Sequence, residues 1–161
     1  MKPIIAILMG SDSDAEQLKP CGEVLREFGV SFEAKVLSAH RTPKETVAYV
    51  EAAKKNGILV IIAAAGGAAH LAGVTAAYTE LPVIGIPVET PALKGIDSLL
   101  STVQMPAGTP VATVAIGPGG VRNAAFLALR ILALSDEKLS KALAEYKKKT
   151  AEKVLSKKVS L

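Results

Sequence analysis

A chain of 161 residues accommodates one domain with a sizeable core and leaves little room for two. Half of it is hydrophobic and only 4% is aromatic, a palette of Ala, Val, Ile and Leu that suits buried strands under helices and not a surface that stacks on bases. The formal charge of +4 lies wholly beyond Leu134, where eight lysines face four acidic residues; residues 1–134 hold eleven of each sign, which argues against a nucleic-acid-binding body and for a solvated, lysine-rich terminal helix.

Met1-Lys2-Pro3 runs directly into an apolar strand, Ile4 to Met9, without the pattern of a signal peptide, so a cytoplasmic protein is the expectation. Gly10-Ser11-Asp12-Ser13-Asp14 supplies capping side chains to an amphipathic segment ending at Phe28-Gly29. Pro20 inside that segment predicts a kink or two shorter helices. Cys21, in the same segment, is the single cysteine; it excludes an intramolecular disulfide, has no metal-ligand spacing around it and reads as a small core residue. Phe32 to Leu37 predicts a second strand, then the loop Ser38-Ala39-His40-Arg41 and a helix capped by Thr42 with Pro43 in its first turn, stopping near Asn56-Gly57. Ile58 to Ala64 is the clearest central strand; the apolar stretch to Ala69 is broken by Gly66-Gly67 and is too short to span a bilayer, so no membrane association is expected.

A small-residue helix follows through His70 to Tyr78, and a fourth strand from Val83 to Ile86, ended by Pro87. Lys94 to Pro106 predicts a short helix and an ordered loop, and Val111 to Ile116 a fifth strand, turned by Gly117-Pro118-Gly119-Gly120 into a helix over Val121 to Ala133. Ser135-Asp136-Glu137 opens the terminal helix, with Leu139, Leu143, Tyr146 and Val154 roughly at helical spacing. Alternating strands and helices predict a three-layer, doubly wound α/β domain with a parallel sheet, flavodoxin-like or Rossmann-like. The expected organisation is one domain over 1–161, an α/β core to 134 and a terminal helix over 135–161.

Ligands of open parallel sheets bind beyond the carboxyl ends of the strands, where the unusual loops of this chain fall. Gly10, Ser11 and Ser13 beside a helix start can bind an anion, while Asp14 is better matched to sugar hydroxyls; simple helix capping explains the same residues equally well. Arg41 offers a bidentate grip on phosphate or carboxylate, or else a surface ion pair. His40 and His70, the only histidines, both lie on strand-end loops and can exchange protons near neutrality, or else serve as caps and core residues. No GxGxxG follows the first strand, and there is no Walker motif, zinc-type cluster or GxSxG elbow. The residues suit a phosphorylated small molecule and proton transfer without a cofactor or metal.

Several long motifs then coincide. Gly10 to Asp14, Ser38 to Pro43, Ala65 to Leu71, Gly95 to Ser101, Val103 to Pro106, Pro110 to Gly117 and Asn123 to Ala125 resemble, in order and in one register over roughly residues 4 to 134, the class I N5-carboxyaminoimidazole ribonucleotide mutases. The resemblance implies isomerisation of N5-carboxyaminoimidazole ribonucleotide to 4-carboxy-5-aminoimidazole ribonucleotide in purine biosynthesis, with no cofactor. It implies decarboxylation, retention of CO2 and recarboxylation at carbon, with His40 as general acid and base and His70 lining the base and carboxylate region. It places Ser11, Ser13 and Arg41 toward phosphate, Asp14 on the ribose, and Asp12, Ser38, Ala65, Gly66, Gly67, Ala68, Ala69 and Leu71 in the substrate site. It also implies a homo-octamer whose terminal helix reaches a neighbouring subunit. The chain departs from the family at Ala64, at Ala72 and over Gly117 to Arg122, none of them a proposed catalytic group.

Overall fold

The computed structural model describes residues 2–159. Five parallel strands form one sheet in the order β2-β1-β3-β4-β5, which is the flavodoxin-like order with its switch point between β1 and β3. The strands β1 (Ile5–Met9), β3 (Val60–Gly66) and β4 (Val83–Val88) occupy the centre, and their near-continuous apolar sequence follows from burial on both faces. The edge strand β2 (Phe32–Val36) carries Glu33 and Lys35 and stays largely exposed, as an edge facing water requires.

Alternation along the strands feeds two cores. Ile5, Ile7, Val60, Ile62, Ile84 and Ile86 point to one face, where α1 (Ala15–Glu27) and α5 (Pro118–Leu132) cover them with Val24, Leu25, Ala125 and Leu129. Ala6, Leu8, Ile61 and Ala63 point to the other, against Val50 and Ala53 of α2 (Pro43–Ala53) and Leu71 and Ala72 of α3 (Leu71–Ala77). Cys21 is fully buried in the first core, and burial pushes its thiol up to about 12, as expected of a small core residue and not of a nucleophile. Ala64 and Ala72 are buried core residues too. The helix α4 (Ile96–Val103) fills the connection between β4 and β5.

Three expectations needed correction. Of the two alternatives for Pro20, a kink or two shorter helices, the second is not met: α1 is a single helix, preceded by one 3-10 turn over Asp12–Asp14. Pro20 is the sixth residue of α1, so the missing N–H frees only the carbonyl of Glu16 in the exposed first turn. The strand β4 runs through Pro87 to Val88, and β5 is only Ala112–Thr113. One cause accounts for both. Gly85 accepts from the Val114 N–H at 3.0 Å, so Gly85 and Pro87, two residues on, turn their backbone polar groups toward β5. The next rung would need an N–H on Pro87; lacking it, the β4–β5 ladder stops, while the β3–β4 ladder continues to Gly66 and Val88.

The turn into α5 depends on Gly120, where a Cβ would sit 1.6 Å from the carbonyl oxygen of Ala115. The last helix, α6 (Glu137–Leu155), starts where Asp136 accepts from the Leu139 N–H at 2.9 Å. Residues 160 and 161 of the expected terminal segment lie outside the described residues. No helix among the described residues is long and apolar enough to cross a membrane.

Candidate active site

The loops after β1, β2, β3 and β4 meet at the carboxyl edge of the sheet around a cavity of about 450 Å³, a size ordinary for small-molecule sites. A larger apolar groove of about 1180 Å³ runs between α5 and α6; it contains no histidine and lies apart from the loops after β1, β2, β3 and β4.

After β1 the chain makes its 3-10 turn with Ser11 as cap. The Ser13 hydroxyl donates to the Ser11 Oγ at 2.8 Å, and the Asp12 carboxylate accepts from the Ser13 N–H at 3.0 Å and the Ser11 hydroxyl at 3.2 Å. Asp12 is therefore committed to the turn, whereas Ser11, Ser13 and the half-buried Asp14 line the cavity. Burial holds the Asp14 carboxyl above its ordinary range; the Ser11 backbone, the Ser13 hydroxyl and the Arg41 charge pull it the other way.

After β2 the loop is tied by hydroxyls. Thr42 Oγ1 accepts from the Ser38 N–H at 2.9 Å and donates to the Ser38 carbonyl at 3.2 Å, and Ser38 Oγ accepts from the Arg41 N–H at 3.1 Å. The Arg41 guanidinium donates to the carbonyl of Gly10, joining the first two loops. Its partner is a carbonyl and not a carboxylate, and among the described residues no acidic group pairs with it, so its positive charge remains available to an anion. The surface ion pair that the sequence left open is not formed.

After β3 the loop turns at Gly67, whose φ of 68° is left-handed and favours glycine; Gly66 keeps the approach to β4 close, since a Cβ there would lie 3.1 Å from Thr90 Cγ2 and press on it. His70 takes the cap position of α3 without a capping side-chain bond. Its Nδ1 instead lies 2.8 Å from His40 Nε2, with the rings edge to face at 4.9 Å between centroids. At that distance one nitrogen carries the proton and the other accepts it. The pair therefore shares one proton, and His40 Nδ1 and His70 Nε2 remain for other partners. Both rings are exposed to the cavity and neither is a core residue.

Of the residues singled out in the sequence, Ser11, Ser13, Asp14, Ser38, His40, Arg41, Ala65, Gly66, Ala68, His70 and Leu71 share the cavity wall. Gly67 and Ala69 stand behind it: their N–H groups donate to Ser98 Oγ at 2.9 Å and Ser101 Oγ at 3.1 Å. The sequence reading missed Val88, Glu89, Thr90 and Pro91, which complete the wall. They belong to the fourth strand end, which had been placed at Pro87, before the wall begins. Among the described residues no group of three or more His, Cys, Asp or Glu is placed to hold a metal ion.

A flavodoxin-like sheet whose strand-end loops bring serines, an arginine without an acidic partner among the described residues and two histidines in contact around one cavity defines a class of protein: an α/β protein with a small-molecule site at the carboxyl edge of its sheet. Comparison with known proteins narrows that class. The family model described as AIR carboxylase matches residues 4–153, and the chain belongs to that family. A protein of Bacillus subtilis named N5-carboxyaminoimidazole ribonucleotide mutase is 54% identical over 155 residues, 96% of each chain. One of the same name from Pyrococcus horikoshii is 53% identical, over 94% of this chain and 87% of its own. Among solved structures, Treponema denticola PurE superposes with a TM-score of 0.85 at 27% identity, covering 95% of this chain and 94% of its own.

Proposed function

We propose that this chain is an N5-carboxyaminoimidazole ribonucleotide mutase of purine biosynthesis, acting as a single catalytic domain over 1–161. The observation that carries the reading is the 2.8 Å contact between His40 and His70 on the wall of a cavity that also holds Arg41 and the Ser11 and Ser13 hydroxyls. Family membership and relatives of that name over nearly the whole chain support it.

The reaction balances without an external reagent. Cleavage of the N–C bond releases CO2 and leaves the electron pair on the exocyclic nitrogen, which takes a proton. The ring carbon then attacks CO2 through its enamine π electrons, and its own proton must leave to restore the ring. One group that gives a proton at nitrogen and takes one at carbon ends unchanged, and His40 fills that role, with His70 sharing its other nitrogen. Holding CO2 in the cavity instead of drawing it from solution supplies the entropic advantage. Ser11, Ser13 and Arg41 take the phosphate, Asp14 accepts from ribose hydroxyls, and Ser38, Ala65, Gly66, Ala68 and Leu71 surround the rest. Asp12 braces the first loop, and Gly67 and Ala69 brace the third.

The reading extends to a cytoplasmic homo-octamer in which the terminal segment 135–161, with its helix α6, packs on a neighbouring subunit beyond the 1–134 core. The apolar groove beside α6 and the exposure of Val154 and Leu155 support it; a sedimentation profile of monomer alone would sink it. The catalytic test is a paired ultraviolet assay. The protein should form the carbon-carboxylated product from N5-carboxyaminoimidazole ribonucleotide and show little turnover of aminoimidazole ribonucleotide with bicarbonate. Turnover only of the second substrate would make it a direct carboxylase, and silence with both would leave a binding domain.

A further inference from the structure

The loop that carries His70 is held from behind by a helix that itself contributes nothing to the cavity wall. Ser98, on α4, is fully buried, and its hydroxyl accepts from the Gly67 N–H at 2.9 Å while donating to the Val88 carbonyl at 2.7 Å. One hydroxyl thus bridges the ends of β3 and β4. One turn on, Ser101 Oγ accepts from the Ala69 N–H at 3.1 Å and has the carbonyls of Asp97, at 2.7 Å, and Gly67, at 3.1 Å, within donating reach. The Asp97 carboxylate receives the Thr90 hydroxyl at 3.1 Å, fixing the facing wall as well.

A serine or threonine inside a helix ordinarily bonds back to the carbonyl four residues earlier, as Thr102 does to Ser98 at 2.7 Å. Ser98 lies in the first turn of α4, where the residue four earlier, Lys94, stands outside the helix, and its hydroxyl bridges the two loops instead. The grip also alternates. Gly67 turns its N–H to α4 and Ala69 shares its N–H between Ser101 Oγ and the Gly67 carbonyl at 2.9 Å, while Gly66, Ala68 and His70 face the cavity.

We propose that Ser98 and Ser101 are positioning residues that set the facing of the 66–70 loop, and through it the reach of His70 to His40 and the wall around the migrating carboxylate. The proposal rests on the mutase reading for its consequence in turnover. Neither hydroxyl lines the cavity, so neither touches the substrate and both act through the loop, with the rate as the main readout.

The test compares Ser98→Ala, Ser101→Ala and Ser101→Thr in the full chain, with kcat, KM, thermal midpoint and amide exchange at Gly67 and Ala69 as readouts. Misplacing a reacting group by about 1 Å costs ~100-fold, so each alanine variant should lose about that in kcat, with KM held within about 3-fold. Exchange should quicken at Gly67 in Ser98→Ala and at Ala69 in Ser101→Ala, and Ser101→Thr should restore both exchange and kcat. If Ser98→Ala does not fold, the Ser101 pair decides alone. Loss of kcat and affinity together, failure of Ser101→Thr to restore kcat, or quickened exchange with unchanged kcat would each overturn the proposal. Absence of turnover in the unsubstituted protein would instead sink the mutase reading, and the exchange data would then decide whether these hydroxyls hold the loop.

Discussion

The carboxyl edge of the sheet and the terminal helix are held by different means. At the edge, polar side chains bond backbone groups of the same chain: Thr42 and Thr46 close the loop after β2, and Ser98 and Ser101 close the one after β3. These loops are complete within one chain. On α6 only Leu139 is buried, and Tyr146 sits against Phe126 and Phe28 at centroid distances of 4.9 and 5.6 Å. Every described residue beyond Tyr146 is exposed, including Val154 and Leu155. Its ion pairs, Lys141 with Glu137 and Lys149 with Glu145, are solvent-facing helix pairs worth only about 0.3–0.5 kcal/mol each. Polar closure fixes the geometry of the strand-end loops, whereas the far half of α6 leaves the apolar side chains of Val154 and Leu155 uncovered.

The largest effect that would sharpen this contrast belongs to the edge. His40→Asn should lower kcat by about 1000-fold or more while the thermal midpoint stays within about 2 °C, because the ring is exposed and supports no core. Turnover near that of the unsubstituted protein would remove His40 from the acid–base role. At the other region, the paired changes Val154→Asp and Leu155→Asp should shift sedimentation to smaller species with helix content preserved. Each apolar side chain lost from a contact is worth about 1.5–3 kcal/mol, and carboxylates in its place add a desolvation cost. An unchanged sedimentation profile would show that this end of α6 is not a contact surface.

The difference between the regions also governs what was legible in the sequence. The central strands were readable because continuous apolar runs have no alternative once helices cover both faces, and the strand-end rule then collected His40, His70, Arg41 and the Ser11 loop. The missed wall, Val88 to Pro91, traces to Pro87, read as a strand end although its missing N–H faces only β5 and leaves the pairing with β3 intact. Gly67 and Ala69 were counted with the substrate because nothing in a one-dimensional pattern reports which N–H groups Ser98 and Ser101 occupy. What α6 packs against was similarly illegible, since an apolar row looks the same whether it docks at home or on a neighbour.

A smaller effect tests whether the near half of α6 belongs to its own subunit. Tyr146→Ala removes the ring packed at a tilt against Phe28 and Phe126, and should cost about 1–3 kcal/mol in denaturant unfolding. A loss that vanishes on dilution would assign the ring to assembly instead of intramolecular docking.

The smallest effect concerns Asp14, where site and stability pull in opposite directions. Burial raises its folded-state pKa above the unfolded value, so the folded protein binds more protons through the window between them. Stability from this group is fully present below the unfolded pKa and is lost as pH rises through the folded one. At neutral pH the protein carries a half-buried carboxylate at a net cost, which Arg41 offsets only in part. Asp14→Asn keeps the shape and discards the charge. Its thermal midpoint should exceed that of the unsubstituted protein by up to about 2 °C at pH 7, the gain limited by solvent screening. The gain should disappear below about pH 3.9. With Asp14 proposed as the ribose acceptor, the same change removes a charged hydrogen-bond acceptor, and KM should rise by about 10-fold. Melting curves at the two pH values, set beside KM, decide it: a gain in stability with a loss of affinity marks a residue kept for the ligand, whereas a loss of both marks a structural cap on the first loop.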